Sequence, residues 1–274
     1  MLCEVDMKEI LRLENISFGY DEDRTALSEF SVTLREKERV AVVGNNGAGK
    51  STFFLLMNGV LRQSSGRIFL DGKEITKAKK DAILLRRTVG LVFQEPDDQI
   101  IAGTVEKEIS FGPMNLGIGD DEVRRKVDEA VAMMDLGDYR NRAPHYLSGG
   151  EKKRVSIADV LAMEPRMMLF DEPASSLDPA NTRLLEENLK KLSEKGMCLV
   201  TATHDVDFAW RWATRVIAMS AGRLEGDGTP EEVFSNEALV LKCGLEQPVL
   251  LRVSRALGLE KPVKSVAELK KTLS

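Results

Sequence analysis

Two different spacings of apolar residues run along this chain. From Ile10 to Tyr20 apolar and polar positions alternate, Leu11 and Leu13 against Arg12 and Glu14, then Ile16, Phe18 and Tyr20. A period of two marks a half-buried strand, and the change of phase near Asn15 predicts a local slip. Beyond a turn at Asp21-Glu22-Asp23, Phe30, Val32 and Leu34 alternate with Ser31, Thr33 and Arg35, and Gly66–Gly72 forms a third run bounded by glycines. These runs predict a small antiparallel sheet with one wet face. The second spacing is continuous. Val40–Val43, Val89–Phe93, Met167–Phe170, Leu199–Thr203 and Val216–Ser220 are short, nearly unbroken apolar runs. Such runs fit parallel strands covered by helices on both faces.

Helical periods fill the intervals. Asp121–Met134 places Val123, Val127, Ala130, Val131 and Met134 on one stripe. Pro179–Lys195 turns Leu184, Leu185, Leu189 and Leu192 inward and stops at Gly196. The interval from Ile101 to Pro165 shows no buried strand, so it reads as a helical insertion in an α/β core. Near the end, Thr229-Pro230-Glu231-Glu232 carries an N-cap, a first-turn proline and a capping-box glutamate, and Ser265-Val266-Ala267-Glu268 repeats the box. Between them Val249–Leu257 is too apolar for a disordered tail. The expected organisation is an α/β domain over residues 1–232, with the helical insertion at about 101–165, followed by a helical appendix over 233–274 whose apolar face needs a partner.

Composition narrows the classes. The 274 residues are 43% hydrophobic and 30% charged, enough for a large core. Lys+Arg 39 against Asp+Glu 44 leaves −5, with no basic block, which argues against a nucleic-acid partner. No apolar run reaches the length of a bilayer span, and Met1–Asp6 is acidic, unlike a signal peptide. Cys3, Cys198 and Cys243 lack metal-ligand spacing and fit a reducing cytosol, with Cys198 expected as a buried, inert thiol.

The candidate chemistry starts at Gly44-Asn45-Asn46-Gly47-Ala48-Gly49-Lys50-Ser51-Thr52, which fits G-x-x-x-x-G-K-[ST] between a predicted strand and a predicted helix. Glycines let successive N–H groups wrap an anion, and the helix start adds unpaired N–H groups. Lys50 supplies charge to the outer phosphates and the Ser51 hydroxyl suits Mg2+. Met167–Phe170 ends in Asp171 and Glu172, and the end of a parallel strand lies in the same crevice. Asp171 is then placed to hold Mg2+, and Glu172 to orient or deprotonate a water attacking the γ-phosphate. Ser148, Gly149 and Gly150 open a second helix suited to an anion. One chain with two phosphate cradles is explained by a two-fold dimer in which the second closes over the partner's nucleotide.

Gly44–Thr52, Leu147-Ser148-Gly149-Gly150-Glu151 and Leu169–Pro173, in this order, resemble an ATP-binding-cassette (ABC) ATPase subunit over about Ile10 to Glu232. The resemblance implies a P-loop NTPase fold with a RecA-like parallel core, an N-terminal antiparallel β-subdomain, a helical signature subdomain and ATP with Mg2+ as ligands. It further implies that Tyr20 stacks on adenine, that Gln94 touches Mg2+ and the attacking water, that Asp178 links the two sites across the dimer, and that His204 bonds the γ-phosphate. His145 matches no family ligand and is read as structural. Asn45 and Asn46 replace a proline-containing variant of the loop, and Ser175-Ser176 stands where many members have a smaller pair. Gln94–Gln99, Thr104–Pro113, Ser148–Arg154 and Ala158–Pro165 resemble the ATPases of energy-coupling-factor importers, nearest to the cobalt/nickel type. That likeness implies a second ATPase subunit in a homo- or heterodimer, with the 233–274 segment helping to dimerise the subunits, a multi-span membrane scaffold, a substrate-binding membrane protein and a place on the cytoplasmic face of the membrane. Asp97 and Asp98 would face arginines of the scaffold, or else form a solvated turn. The competing reading is a non-transport ABC ATPase acting as an assembly scaffold. The cargo is not written in this chain.

Overall fold

The computed structural model describes residues 7–21, 25–175 and 177–274. Met1–Asp6 with Cys3, Glu22 and Asp23 of the expected turn, and Ser176 lie outside the described residues.

Two sheets form the frame. The strands are β1 (Glu9–Gly19), β2 (Thr25–Arg35), β3 (Arg39–Val43), β4 (Ser65–Leu70), β5 (Lys73–Glu74), β6 (Val89–Val92), β7 (Met167–Asp171), β8 (Cys198–Thr203), β9 (Arg215–Ser220) and β10 (Arg223–Gly228). The smaller sheet, ordered β2-β1-β4-β5, is antiparallel throughout. Its alternation has the physical meaning expected: Leu11, Leu13, Phe30, Val32 and Leu34 are buried, while Arg12 and Arg67 lie over the Phe69 ring on the wet face. The phase slip is a bulge. Asn15 adopts φ +49 and the β1–β2 register shifts between Leu13 and Ile16. Opposite it Gly66 has φ +87, and a Cβ there would fall 2.4 Å from the Asn15 carbonyl oxygen, so only glycine fits.

The larger sheet is ordered β10-β9-β3-β8-β7-β6. β9, β3, β8, β7 and β6 run parallel, and β10 returns antiparallel at the edge. The continuous apolar runs exist because both faces are covered. Val40 and Val42 enter a core beneath the small sheet with Phe30, Phe53 and Phe54, whereas Ala41 and Val43 enter a second core with Phe170, Leu189 and Leu192. Each valine removed from water there contributes about 1.5–3 kcal/mol. β5 and β10 had no readable pattern: the first has two residues, and Arg-Leu-Glu-Gly-Asp-Gly looks like a charged turn.

Helices Val105–Asn115, Asp120–Met133 and Gly149–Leu161 occupy the interval expected to be helical. The stripe of Val123, Val127, Ala130, Val131 and Met134 is buried. Helix Pro179–Glu194 buries Leu185, Leu189 and Leu192, leaves Leu184 half-buried, and is followed by Gly196 at φ +89.

The last residues form helices Pro230–Ser235, Glu237–Lys242, Val249–Ala256 and Val266–Leu273. The apolar stripe is partly used by the chain itself: Leu251 is buried, and Trp210 Nε1 donates to the Val263 carbonyl at 2.9 Å. Thr229 and Glu232 form the full capping box. Ser265 makes only half of one, because the Glu268 carboxylate accepts from the Lys264 N–H instead of the cap residue's own. No described helix is long and apolar enough to cross a membrane.

Candidate nucleotide site

The loop Gly44–Gly49 leaves the C-terminal end of β3, beside the ends of β7 and β8. Gly47 and Gly49 take φ +81 and +99, and a Cβ at Gly49 would strike the Ala26 carbonyl at 2.7 Å. Helix Lys50–Met57 then starts on Gly49 with no side-chain cap, so its first N–H groups remain available to an anion. Lys50 is 7% exposed. Its ammonium donates to the Gly44 and Asn45 carbonyls at 2.8 and 3.2 Å. Burial pulls its pKa below the ordinary lysine value, and the charges of Glu172 and Asp171 oppose that pull.

A cavity of about 260 Å³ opens here, lined by Tyr20, Asn46, Gly47, Ala48, Gly49, Lys50, Ser51, Thr52, Gln94, Asp171 and Glu172. Residues separated by more than a hundred positions in sequence thus share one space. Tyr20 stands at the rim, half exposed, with its hydroxyl 3.1 Å from Thr52 Oγ1 and its ring edge-on to Phe18. Ser51, Gln94 and Asp171 present hydroxyl, amide and carboxylate oxygens. Among the described residues no three His, Cys, Asp or Glu side chains gather as a metal cage. That donor set suits Mg2+, which keeps few protein ligands and shares its shell with phosphate and water.

Glu172 is held in an unusual backbone. Its φ is +42, its N–H donates to the Ala202 carbonyl at 3.0 Å, and its own carbonyl accepts from Ser175 Oγ at 2.7 Å. A left-handed glutamate costs about 1–3 kcal/mol, which a functional turn can sustain. The result aims the carboxylate at His204, whose Nδ1 lies 3.0 Å away on an exposed ring.

Residues 27–175 match the family described as ABC transporter. The chain belongs to the ABC transporter family. It is 41% identical over 262 residues to the energy-coupling factor transporter ATP-binding protein EcfA of Methanothermobacter thermautotrophicus, covering 94% of this chain and 84% of that one. The corresponding EcfA of Methanocaldococcus jannaschii is 42% identical, over 87% of this chain and 86% of its own. Among solved structures, cbiO1 of Clostridium perfringens, part of the ABC transporter complex cbiONQ, superposes with a TM-score of 0.78 at 35% identity, covering 92% of this chain and all (100%) of that one. A dimeric cassette in a post-hydrolysis state with ADP and Pi gives 0.71 at 28% identity, over 81% of this chain and 99% of its own. The chain is accordingly an ABC ATPase, a P-loop NTPase that binds ATP with Mg2+ and hydrolyses it.

Not every expected residue of this ABC ATPase faces that cavity. Gly44 and Asn45 do not line it, and the Asn45 N–H donates to the Cys243 carbonyl at 3.1 Å, so the C-terminal helices touch the phosphate loop. Ser148, Gly149 and Gly150 also lie outside it. Ser148 caps helix Gly149–Leu161 in a complete box with Glu151. A Cβ at Gly150 would meet Asn181 Oδ1 at 2.3 Å, and Asn181 Nδ2 donates to Asp178 at 2.6 Å. Asp178 is the N-cap of helix Pro179–Glu194, accepting from the Ala180 and Asn181 N–H groups, and these bonds hold its pKa below the usual carboxylate value. Asn181 therefore packs closely on the signature glycine while bonding Asp178, a proximity that no sequence spacing announces.

Other expectations resolve simply. His145 lies against Tyr146, the rings tilted by 45° with centres 4.1 Å apart. Cys198 is fully buried and its thiol pushed far upward by burial. Asp97 is already paired, with Lys152 at 2.7 Å. Lys153, whose ammonium reaches the carbonyls of Phe93 and Gln94, drew no attention in the sequence. Burial lowers it to about 8. Its signal was a lysine facing inward on a helix whose neighbours Val155, Ser156 and Ile157 are buried.

Proposed function

We propose that this chain is the ATP-hydrolysing subunit of an energy-coupling-factor importer, for cobalt, nickel or a vitamin, working as a dimer with itself or a related ATPase on the cytoplasmic face of a membrane. The observation that carries the reading is the convergence of Lys50, Ser51, Gln94, Asp171 and Glu172 on one cavity in a chain 41% identical to such a transporter's ATP-binding protein. Tyr20 stacks on adenine, and the loop from Gly44 to Thr52 wraps the phosphates, with Lys50 exchanging its carbonyl partners for phosphate oxygen. Ser51, Gln94 and Asp171 would hold Mg2+, which would supply positive charge to offset that of the phosphates. Glu172 takes the proton of the attacking water, and His204 steadies that carboxylate and the γ-phosphate. The partner's Ser148, Gly149 and Gly150 complete the site, and Asp178 lies at the seam.

A groove of about 540 Å³ lined by Val60, Ile83, Phe93, Phe111, Asp159 and Met163 offers apolar surface to a helix of the membrane scaffold. With Asp97 engaged by Lys152, Asp98 is the acid of that pair left to meet arginines of that helix. Purification from a detergent extract of cells expressing the tagged chain tests this. A multi-span membrane protein should co-purify; full ATPase activity in a soluble chain that recovers no membrane protein would favour the non-transport scaffold reading.

A further inference from the structure

Lys153 is 3% exposed and lies on the inner face of helix Gly149–Leu161, one turn after the signature glycine Gly150. Among the described residues it makes no ion pair. Its ammonium donates instead to the carbonyl oxygens of Phe93 and Gln94, at 2.9 and 2.7 Å. A buried lysine outside any ion pair is costly, and two neutral carbonyls with the more distant charges of Glu95 and Asp171 offset only part of that cost. Stability alone gives little reason for such a group.

The neighbouring bonds give it a context. Gln99 accepts from the Phe93 N–H and donates to the Ser156 carbonyl and to Asp159 of the same helix. The segment from Phe93 to Gln99 is thus fastened along one face of the signature helix, and the Lys153 bonds are the ones nearest the Gln94 side chain. We infer that Lys153 is a positioning residue that locks Gln94 to the signature helix, so that the glutamine of one site and the signature motif serving the opposite site move as one body. The inference rests on the proposed role of Gln94 in its own nucleotide cavity. It requires no chemistry of the lysine itself, only its two directed bonds.

Lys153→Met keeps most of the volume and removes both donors. The expected result is a kcat about tenfold lower with the ATP KM changed less than about twofold, since a displaced catalytic group costs rate while phosphate-loop binding is untouched. Lys153→Gln, which restores two N–H donors on a shorter stem, should recover part of the loss. The deciding measurement is a double-mutant cycle with Gln94→Ala. If Lys153 acts through Gln94, adding Lys153→Met to Gln94→Ala lowers kcat no further. A full second tenfold loss, or a Lys153→Met variant whose KM rises as its kcat and melting temperature fall, would overturn the inference. No effect of Gln94→Ala alone would instead sink the assignment of Gln94 while leaving the geometry of Lys153 unexplained.

Discussion

The two helix starts assigned to phosphate in the proposed function are built on opposite plans. Helix Lys50–Met57 begins on a left-handed glycine with no side-chain cap, a buried lysine in its first position and two carboxylates beside it. Helix Gly149–Leu161 begins on Ser148 with a closed capping box, outside that cavity. The first start spends nothing on itself, so its N–H groups await a ligand. The second is already stable alone, and what it offers is a preformed surface. In the composite dimer site proposed above, the first start would supply one half and the partner's copy of the second start the other.

The largest effect should come from the chemistry of the first start. Glu172→Gln keeps the shape of the turn and removes the base, so turnover should fall by about 10²–10³ while ATP binding by equilibrium dialysis persists. Normal hydrolysis in that variant would remove Glu172 from the role of base. Lys50→Ala should weaken ATP binding itself, by about tenfold or more, since a charge-assisted contact to phosphate is lost. Ser148→Arg addresses the second start: hydrolysis should disappear while nucleotide binding to the isolated subunit stays within about twofold. Equal loss of both would make the two starts parts of one cavity.

The smallest effect is a matter of pH. Burial raises the Asp159 carboxyl to about 6, the charge of Glu108 adds to this, and the hydrogen bond from Gln99 opposes it. The folded chain holds that proton more firmly than the unfolded one, so the stabilisation is complete below the unfolded value and is lost as pH rises through about 6. Asp159→Asn escapes the loss, and its stability relative to the parent should grow by ~2 kcal/mol between about pH 4 and 7 in denaturant titrations. A constant difference across that range would mean that Asp159 titrates as an ordinary carboxyl.

The first start was legible in the sequence and the second only in outline, for a physical reason. Gly44–Thr52 is a local device whose glycines, lysine and hydroxyl are contiguous, and the strands around it carry period-two or continuous apolar patterns that declare their faces. The bulge at Asn15 was readable for the same reason. What surrounds the signature is not local. Asn181 reaches Gly150 across 31 positions, and Lys153 reaches Gln94 across 59. Such pairings arise from the packing of the helical insertion on the parallel sheet, and no spacing along the chain encodes them. Asp97 was readable as an acid but not as the partner of Lys152. The contact of Cys243 with Asn45 likewise depends on where the final helices fold back.

Mixing two inactive variants tests the composite site most directly. A Lys50→Ala subunit paired with a Ser148→Arg subunit holds one site with both defects and one with neither. If two copies of this chain share their sites, the mixture should regain hydrolysis, up to about a quarter of the parental rate at equal proportions with random pairing. A mixture no more active than the mean of the two separate variants would contradict a site divided between subunits of this chain.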